Sequence, residues 1–424
     1  MRSRLLILLL GLAGGLVTSA WAADALTLQA CLAEAAENNP GLVAAKESLQ
    51  KATYDYKGSY STFLPQLSAN AGHSRNGNES SATGSTGSTI SDNNSMGVSV
   101  SQTLFAGGRN RAAMDQAAAN KQIAEDQLLI AKAQLTFDVR QAFVDLLFAQ
   151  ANVALTEAIA KRRADNASLI QLRYESGKEH KGSLLYIQAS YGEAQFEVAQ
   201  AERALRVAER GLARVLGRSE TASLAVKGEW TTDQPGHGYD FAALADETPQ
   251  HRLSLGQVRI AQAGVASAQS EFSPQVAANA SAGRSSEDWP PRDDEWSVGV
   301  SLTFPFFPGG KNFMDVKSAK AEHRRAKASA LNSDEQLVLD LESAFAQYQD
   351  AVELREVQAQ FLTAAEVRAE IAQAQYTSGL LSFQDWDTIE NALISQQKST
   401  LASRRDAVIG EANWEKTRGA NRLP

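Results

Sequence analysis

The side chains that could do chemistry are few and scattered. Five histidines, His73, His180, His237, His251 and His323, occupy different segments with no i,i+4 pair and no cysteine nearby, so metal ligation is not expected. The single cysteine, Cys31, has no partner for an intrachain disulfide and reads as a small apolar residue on an early helix face. No nucleophile elbow, phosphate loop or paired-carboxylate signature is present, and the pairs Gly107-Gly108 and Gly309-Gly310 lack the spacing of a nucleotide-binding loop. Neither an enzymatic activity nor a cofactor is expected. What remains is electrostatic. Asp385 and Asp387, with Glu390 one turn later, fall at the start of the last helical segment, where acids complement the helix dipole. Gathered around an axis, the same acids would bind cations and repel anions.

The elements that would position these acids come from a duplicated unit. At an offset near 202, Gly97-Val98-Ser99-Val100-Ser101 aligns with Gly299-Val300-Ser301-Leu302-Thr303, and Tyr174-Glu175-Ser176-Gly177 with Tyr376-Thr377-Ser378-Gly379. Phe63-Leu64-Pro65-Gln66-Leu67 and Phe272-Ser273-Pro274-Gln275-Val276 are offset by 209, which places a seven-residue indel in a Ser/Gly/Asn-rich stretch read as a loop.

Arg2 and Arg4, the apolar run Leu5 to Val17 and Ala20-Trp21-Ala22 form a secretory signal peptide over 1–22. No later stretch reaches the roughly 18 uninterrupted apolar residues of a membrane helix. The formal charge is −8, and loss of Arg2 and Arg4 makes the mature chain −10, a balance that argues against nucleic-acid binding. The domain reading is a first repeat over 23–218, a Gly/Thr/Asp/Pro-containing connector over 219–243, and a second repeat with the C-terminal tail over 244–424.

Each copy opens with an alanine-rich helix, 41–62 and about 250–271, ended by Pro65 or Pro274. Period-two alternation follows. Leu67, Ala69 and Ala71 alternate with Ser68, Asn70 and Gly72, and Trp296, Val298, Val300 and Leu302 alternate with Ser297, Gly299 and Ser301. The polar face is Ser, Thr, Asn and Gly rather than charged, and aromatics such as Phe63, Phe105, Phe272, Trp289, Phe304, Phe306 and Phe307 gather at the strand ends, as in a transmembrane barrel with a polar lumen. Four strands cannot close such a barrel, and an open edge in hydrocarbon is forbidden, so several chains must share one.

After each second strand, Gly107-Gly108 and Gly309-Gly310 redirect the backbone at a strand–helix junction, with Asn110 and Asn312 as expected N-caps. The helices that follow run without proline to Tyr174 and Tyr376, some 65 residues or about 100 Å at 1.5 Å each. The first return helix has a heptad seam, Leu184, Ile187, Tyr191, Ala194, Val198, Ala201, Leu205, Ala208, Leu212 and Val215. The second keeps its seam poorly, with Gln396 and Thr400 after Ile389 and Leu393, and is expected to face something wetter. Gly177 and Gly379 end the outgoing helices at the tip farthest from the strands, and Ser183 and Ser382 are the expected caps of the return helices.

The signal peptide, the two copies, and Tyr-x-x-Gly at the far end of each long helix together resemble the TolC-like outer-membrane efflux channels, over essentially the whole mature chain. Further echoes are Leu26-Thr27-Leu28 leading to Asn39-Pro40, Phe105-Ala106-Gly107-Gly108, and Gln375-Tyr376-Thr377-Ser378-Gly379 followed by Asp385. The resemblance implies a mixed α and β membrane protein: coiled-coil hairpins and four β-strands per chain, with a homotrimer forming a 12-stranded transmembrane β-barrel and a periplasmic α-barrel. It implies contact with outer-membrane lipid, end-on docking with a periplasmic adaptor, and an inner-membrane pump of the RND, ABC or MFS kind, in efflux or type I secretion. The adaptor-contact tip would be Tyr174, Gly177, Lys178, Ser183, Tyr376, Gly379 and Ser382, with the exposed segments Lys178 to Leu185 and Leu380 to Thr388. The periplasmic constriction would be Asp385, six residues after Gly379, with Asp387 standing one residue from the second acidic position, which holds Thr388. The arginine that latches the closed state in the best-known relatives would fall at Leu381. The alternative reading is a soluble periplasmic coiled-coil adaptor or scaffold.

Overall fold

The computed structural model describes residues 25–82, 85–219 and 224–423; the signal peptide expected over 1–22 lies outside them. Helix α1 (Leu28–Asn38) is capped by Thr27, and α2 (Pro40–Ser59) by Asn39, whose Oδ1 accepts the Leu42 amide at 3.1 Å. With Pro40 at the first helical position, this is a strong start signal. Tyr60–Phe63 form a short 3₁₀ turn, followed by strands β1 (Gln66–Ala82) and β2 (Ser85–Phe105). Then come α3 (Arg109–Glu175) and its return α4 (Lys181–Leu216). After a connecting segment and α5 (Phe241–Glu247), the order repeats: α6 (Pro249–Ser270), capped by Thr248, β3 (Gln275–Ser286), β4 (Asp293–Thr303), α7 (Lys311–Thr377) and α8 (Phe383–Thr417).

Two local expectations need correction. The Ser/Gly/Asn-rich stretch is not a loop: β1 and β2 continue through it, paired as far as Ala82 with Ser85. Backbone pairing needs no apolar side chain, so composition alone misread it. The junction asparagines are not caps either. Gly108 and Gly310 occupy the cap positions, while Asn110 Nδ2 donates to the Thr62 carbonyl at 3.0 Å and Asn312 Nδ2 to that of Glu271 at 2.9 Å. Each asparagine ties a long helix to the end of the helix before its strands. Gly107 completes the first junction, since a Cβ there would stand 2.3 Å from that of Ser273.

The four strands form one antiparallel sheet in the order β1-β2-β3-β4. Its register sorts the two faces. Leu67 pairs with Val100, Val100 with Ala280 and Ala280 with Val298, so one apolar row crosses all four strands, as does the row Ala69, Val98, Ala282 and Trp296. On the opposite face the row Ser68, Ser99, Ser281 and Ser297 consists of hydroxyls, with Oγ–Oγ distances of 2.7 Å for Ser68–Ser99 and 2.8 Å for Ser281–Ser297. Val298 and Val300 are 76% and 70% exposed within the single chain. The outer edges of β1 and β4 have no strand partner among the described residues.

Every residue of the α4 heptad seam is buried or half-buried, with Ile187 and Leu212 fully so. Contrary to expectation, the polar positions of the α8 seam do not face something wetter but pack against α7: Thr400 is buried, and Gln396 Nε2 and Thr400 Oγ1 both donate to the Gln358 carbonyl at 3.2 Å, so hydrogen bonds replace apolar contact there. One core lies at the strand-distal end of α1, where Cys31 packs with Val139, Phe143, Leu146, Leu212 and Leu216; burial pushes its thiol up to about 11. A second core packs the Tyr239 ring of the connector edge-on against Phe345 and tilted against Trp414. Beside it Arg140 of α3 bonds Glu415 of α8 at 2.5 Å and lies 3.3 Å from Glu411, while Arg422 closes over both glutamates. Burial, helped by Glu415 and Asp233, holds the Glu411 carboxyl above the usual range against the pull of Arg140, and Glu411 Oε2 has no hydrogen-bond partner among the described residues.

Candidate functional site

The tip is built by two helix ends of the same design. Both Gly177 and Gly379 adopt left-handed backbone, φ +71° and +82°. Each lets the chain turn back while the amide three residues past the helix closes on a carbonyl of the last turn: Lys178 N to Arg173 O at 2.8 Å, and Leu380 N to Gln375 O at 2.8 Å. The return helices start differently. Ser382 caps α8, its Oγ accepting the Asp385 amide at 3.1 Å. Ser183 is not a cap: His180 takes that place, and Ser183 sits buried inside α4 with its hydroxyl donating to Glu179 Oε1 at 3.0 Å.

The two tip tyrosines part company. Tyr174 is exposed, whereas Tyr376 is only 1% exposed, and so cannot be a contact residue for a partner without the tip opening. Its ring stacks on Trp386 at 4.6 Å with the Arg173 guanidinium 4.5 Å over it, and its hydroxyl donates to Glu179 Oε2 at 2.8 Å. Burial and the neighbouring Glu179 charge push the Tyr376 hydroxyl well above its ordinary range. Burial opposes ionisation of Glu179, but donors from Tyr376, the His180 amide and Ser183 outweigh it and hold the carboxyl below the usual range. Of the expected grip segments, Lys178, Leu185, Leu380 and Thr388 are exposed, while Ser183, Leu184, Trp386 and Asp387 are buried.

The three acids at the start of α8 also separate. Glu390, 1% exposed, receives a two-pronged bond from Arg162 of α3, at 2.6 and 2.7 Å. Asp387 lies 3.3 Å from Arg163, which also reaches the Asn391 side chain, and Asn391 donates back to Asp387 at 2.8 Å. Asp387 is therefore already neutralised within its own chain and is corrected from the expected set of free constriction acids. Asp385 alone of the three is exposed; its only side-chain partner among the described residues is the Ser382 hydroxyl, which donates at 2.6 Å.

Arg162, Arg163 and Arg173 were missed in the sequence, as were Glu179 and Trp386. A signal existed in the basic run Lys161-Arg162-Arg163 and in the acidic i,i+3 pair Asp387 and Glu390, but nothing local says that the two meet. Leu381, the expected position of a latching arginine, packs against the tip cluster of Ile170, Ile187, Tyr376 and Trp386. At the tip, the arginines that cross to the second hairpin, Arg162, Arg163 and Arg173, come instead from α3. Between the hairpins an open groove of about 850 Å³ is lined by Arg173, Glu179, Tyr186, Phe383, Asp387 and Asn391, among others.

Residues 31–218 and 250–419 match the family described as outer membrane efflux protein. Alkaline protease secretion protein AprF of Pseudomonas aeruginosa is 28% identical over 243 residues, an alignment that spans 54% of this chain and about half of AprF, 49%. Nodulation protein T of Rhizobium leguminosarum bv. viciae is 24% identical over 406 residues, covering 92% of this chain and 82% of that protein. The fold is shared with the outer membrane protein VceC of Vibrio cholerae, at a TM-score of 0.79 and 19% identity over 93% of this chain and 96% of that one.

Proposed function

Because the chain belongs to the outer membrane efflux protein family, we propose that three copies join edge to edge into one 12-stranded barrel through the outer membrane, continued by their helices as a tunnel into the periplasm. Substrates pass through without a chemical step, delivered by a periplasmic adaptor and an inner-membrane pump, in efflux or in protein secretion of the kind AprF's name describes. The two repeats, 23–218 and 244–424, each supply one hairpin pair and two strands, with 219–243 as the connector around the tunnel's middle.

One observation carries this reading: a four-stranded sheet with two unpaired edges, one face apolar and the other hydroxyl-lined. In hydrocarbon each unpaired edge group costs several kcal/mol, so closure by neighbouring copies is required. A soluble coiled-coil scaffold would leave Leu67, Val98, Val298 and Val300 in water.

At the other end, the pairs Arg162–Glu390 and Arg163–Asp387 hold the start of α8 against α3, and so hold one hairpin on the other. This latch keeps the tip narrow, with Asp385 as the free acid facing what enters. Light scattering on the detergent-extracted protein tests the assembly: a trimer mass is expected, and a folded monomer, or recovery in the soluble periplasmic fraction, would overturn it.

A further inference from the structure

On the apolar face of the sheet, chemistry changes row by row toward the Ala82–Ser85 end of the β1–β2 pair. The row Ala69, Val98, Ala282 and Trp296 is apolar; the next holds Ala71 and Met96 beside Arg284 and Asp294; then come His73 with Asn94, and Arg75 with Asp92. Rows are two residues apart, about 7 Å, so the Arg284 and Arg75 rows stand about 7 and 20 Å beyond that of Trp296. Arg75 reaches Asp92 with two nitrogens, at 2.7 and 2.8 Å, and Arg284 Nε reaches Asp294 at 2.7 Å. The arginine side chains stay 66% and 58% exposed, and their remaining N–H groups make no hydrogen bond within the described residues. His73 Nδ1 lies 2.8 Å from Asn94 Oδ1, and Asn94 Nδ2 donates to the Glu287 carbonyl at 2.8 Å, which pins the β3–β4 connection to this row.

The charges are sorted by face. Arg75 and Arg284 are the only Arg or Lys residues in the four strands, and both lie on the face that carries Val98 and Val298. The same rows on the serine face hold Asn70, Gly97, Gly283 and Glu295, then Gly72, Ser95, Ser285 and Asp293.

We propose that His73, Arg75 and Arg284 form a docking surface for the phosphate-bearing headgroups of outer-leaflet glycolipid. This rests on the barrel reading above, because the ladder continues the lipid-facing band on the same strands. Just above that band lies the headgroup layer, and a guanidinium with spare donors matches a phosphate in charge and in shape. Asp92 and Asp294 occupy some of these donors and offset part of the positive charge, so they compete with a phosphate for the two guanidiniums.

The test uses purified trimer in detergent, with retained lipid counted by native mass spectrometry. A diphosphorylated glycolipid, its dephosphorylated analogue and inorganic phosphate serve as probes. The parent should retain the diphosphorylated form preferentially, with inorganic phosphate unable to displace it. Arg75→Gln with Arg284→Gln should weaken retention about fivefold per arginine lost. Asp92→Asn with Asp294→Asn frees both guanidiniums and should strengthen it, which decides the matter if the arginine variant fails to assemble. Equal retention of the two lipids, displacement by inorganic phosphate, or no change in either variant overturns the proposal while leaving the trimer intact. A parent that forms no trimer overturns the barrel reading itself.

Discussion

Removing Arg162 should damage the tip more than removing the acid it holds. Glu390 is 1% exposed and Arg162 41%. Arg162→Ala therefore leaves a carboxylate buried without a partner, a loss of about 3–5 kcal/mol. Glu390→Gln leaves a guanidinium that can turn to water, and costs about 1.5–3 kcal/mol for the lost charged hydrogen bonds. If these losses fall on the state in which α8 lies against α3, the balance between latched and unlatched tips shifts by about 100-fold or more for Arg162→Ala, and about 10- to 100-fold for Glu390→Gln, at 1.4 kcal/mol per decade. The assay is single-channel recording in planar bilayers, where open probability should rise in that order. The double variant should open less than Arg162→Ala alone, because no buried charge is stranded. Lys398→Gln is the control, since its pair with Glu197 is 37% and 30% exposed and contributes less than about 1 kcal/mol. Parent-like recordings from both single variants, with trimers intact, would refute the latch.

Val300→Arg should impair assembly by about 2–4 kcal/mol at mid-membrane, and Ser301→Arg much less, as read from trimer yield; equal damage would refute the assignment of faces. Asp385→Ala should lower cation preference and weaken block by multivalent cations without changing trimer yield, while Asp387→Ala should act chiefly by freeing Arg163 and raising open probability. Tyr376→Phe removes one donor from Glu179 and should cost about 1.5–3 kcal/mol of tip stability, measured by local hydrogen exchange. The folded pKa of Glu179 is depressed, so its contribution is present above the ordinary glutamate range and is lost as pH falls through the lower folded value; Tyr376→Phe should narrow that acid-side loss. Glu411 has the opposite sign. Its raised folded pKa means that its contribution is full below the ordinary range and is lost as pH rises, so Glu411→Gln should stabilise more at pH 7 than at pH 4 in thermal melts.

What was legible in the sequence is what repeats. The alternation through Val98 and Val300, and the glycines at 107–108, 177, 309–310 and 379, are local signals, each read from a few neighbouring residues. The same locality produced the errors: Asn110, Asn312 and Ser183 are all good cap residues two or three positions away from the cap actually used. The site was harder to read because it is where the repeat is broken. At the 202 offset, Arg162 and Arg163 correspond to Ala364 and Ala365, Asp387 to Leu185, Trp386 to Leu184 and Glu390 to Gln188. The duplicated Tyr-x-x-Gly turns thus share a backbone, yet only Tyr376 is buried, because only its side of the tip has an indole to stack on and an arginine above it. The bonds that Arg162 and Arg163 make link residues 224 to 228 positions apart, between the last stretch of α3 and the first of α8. No periodicity within one segment encodes such a pairing. The departures from the repeat therefore mark the residues that act between hairpins, whereas the residues that agree with it shape each hairpin alone.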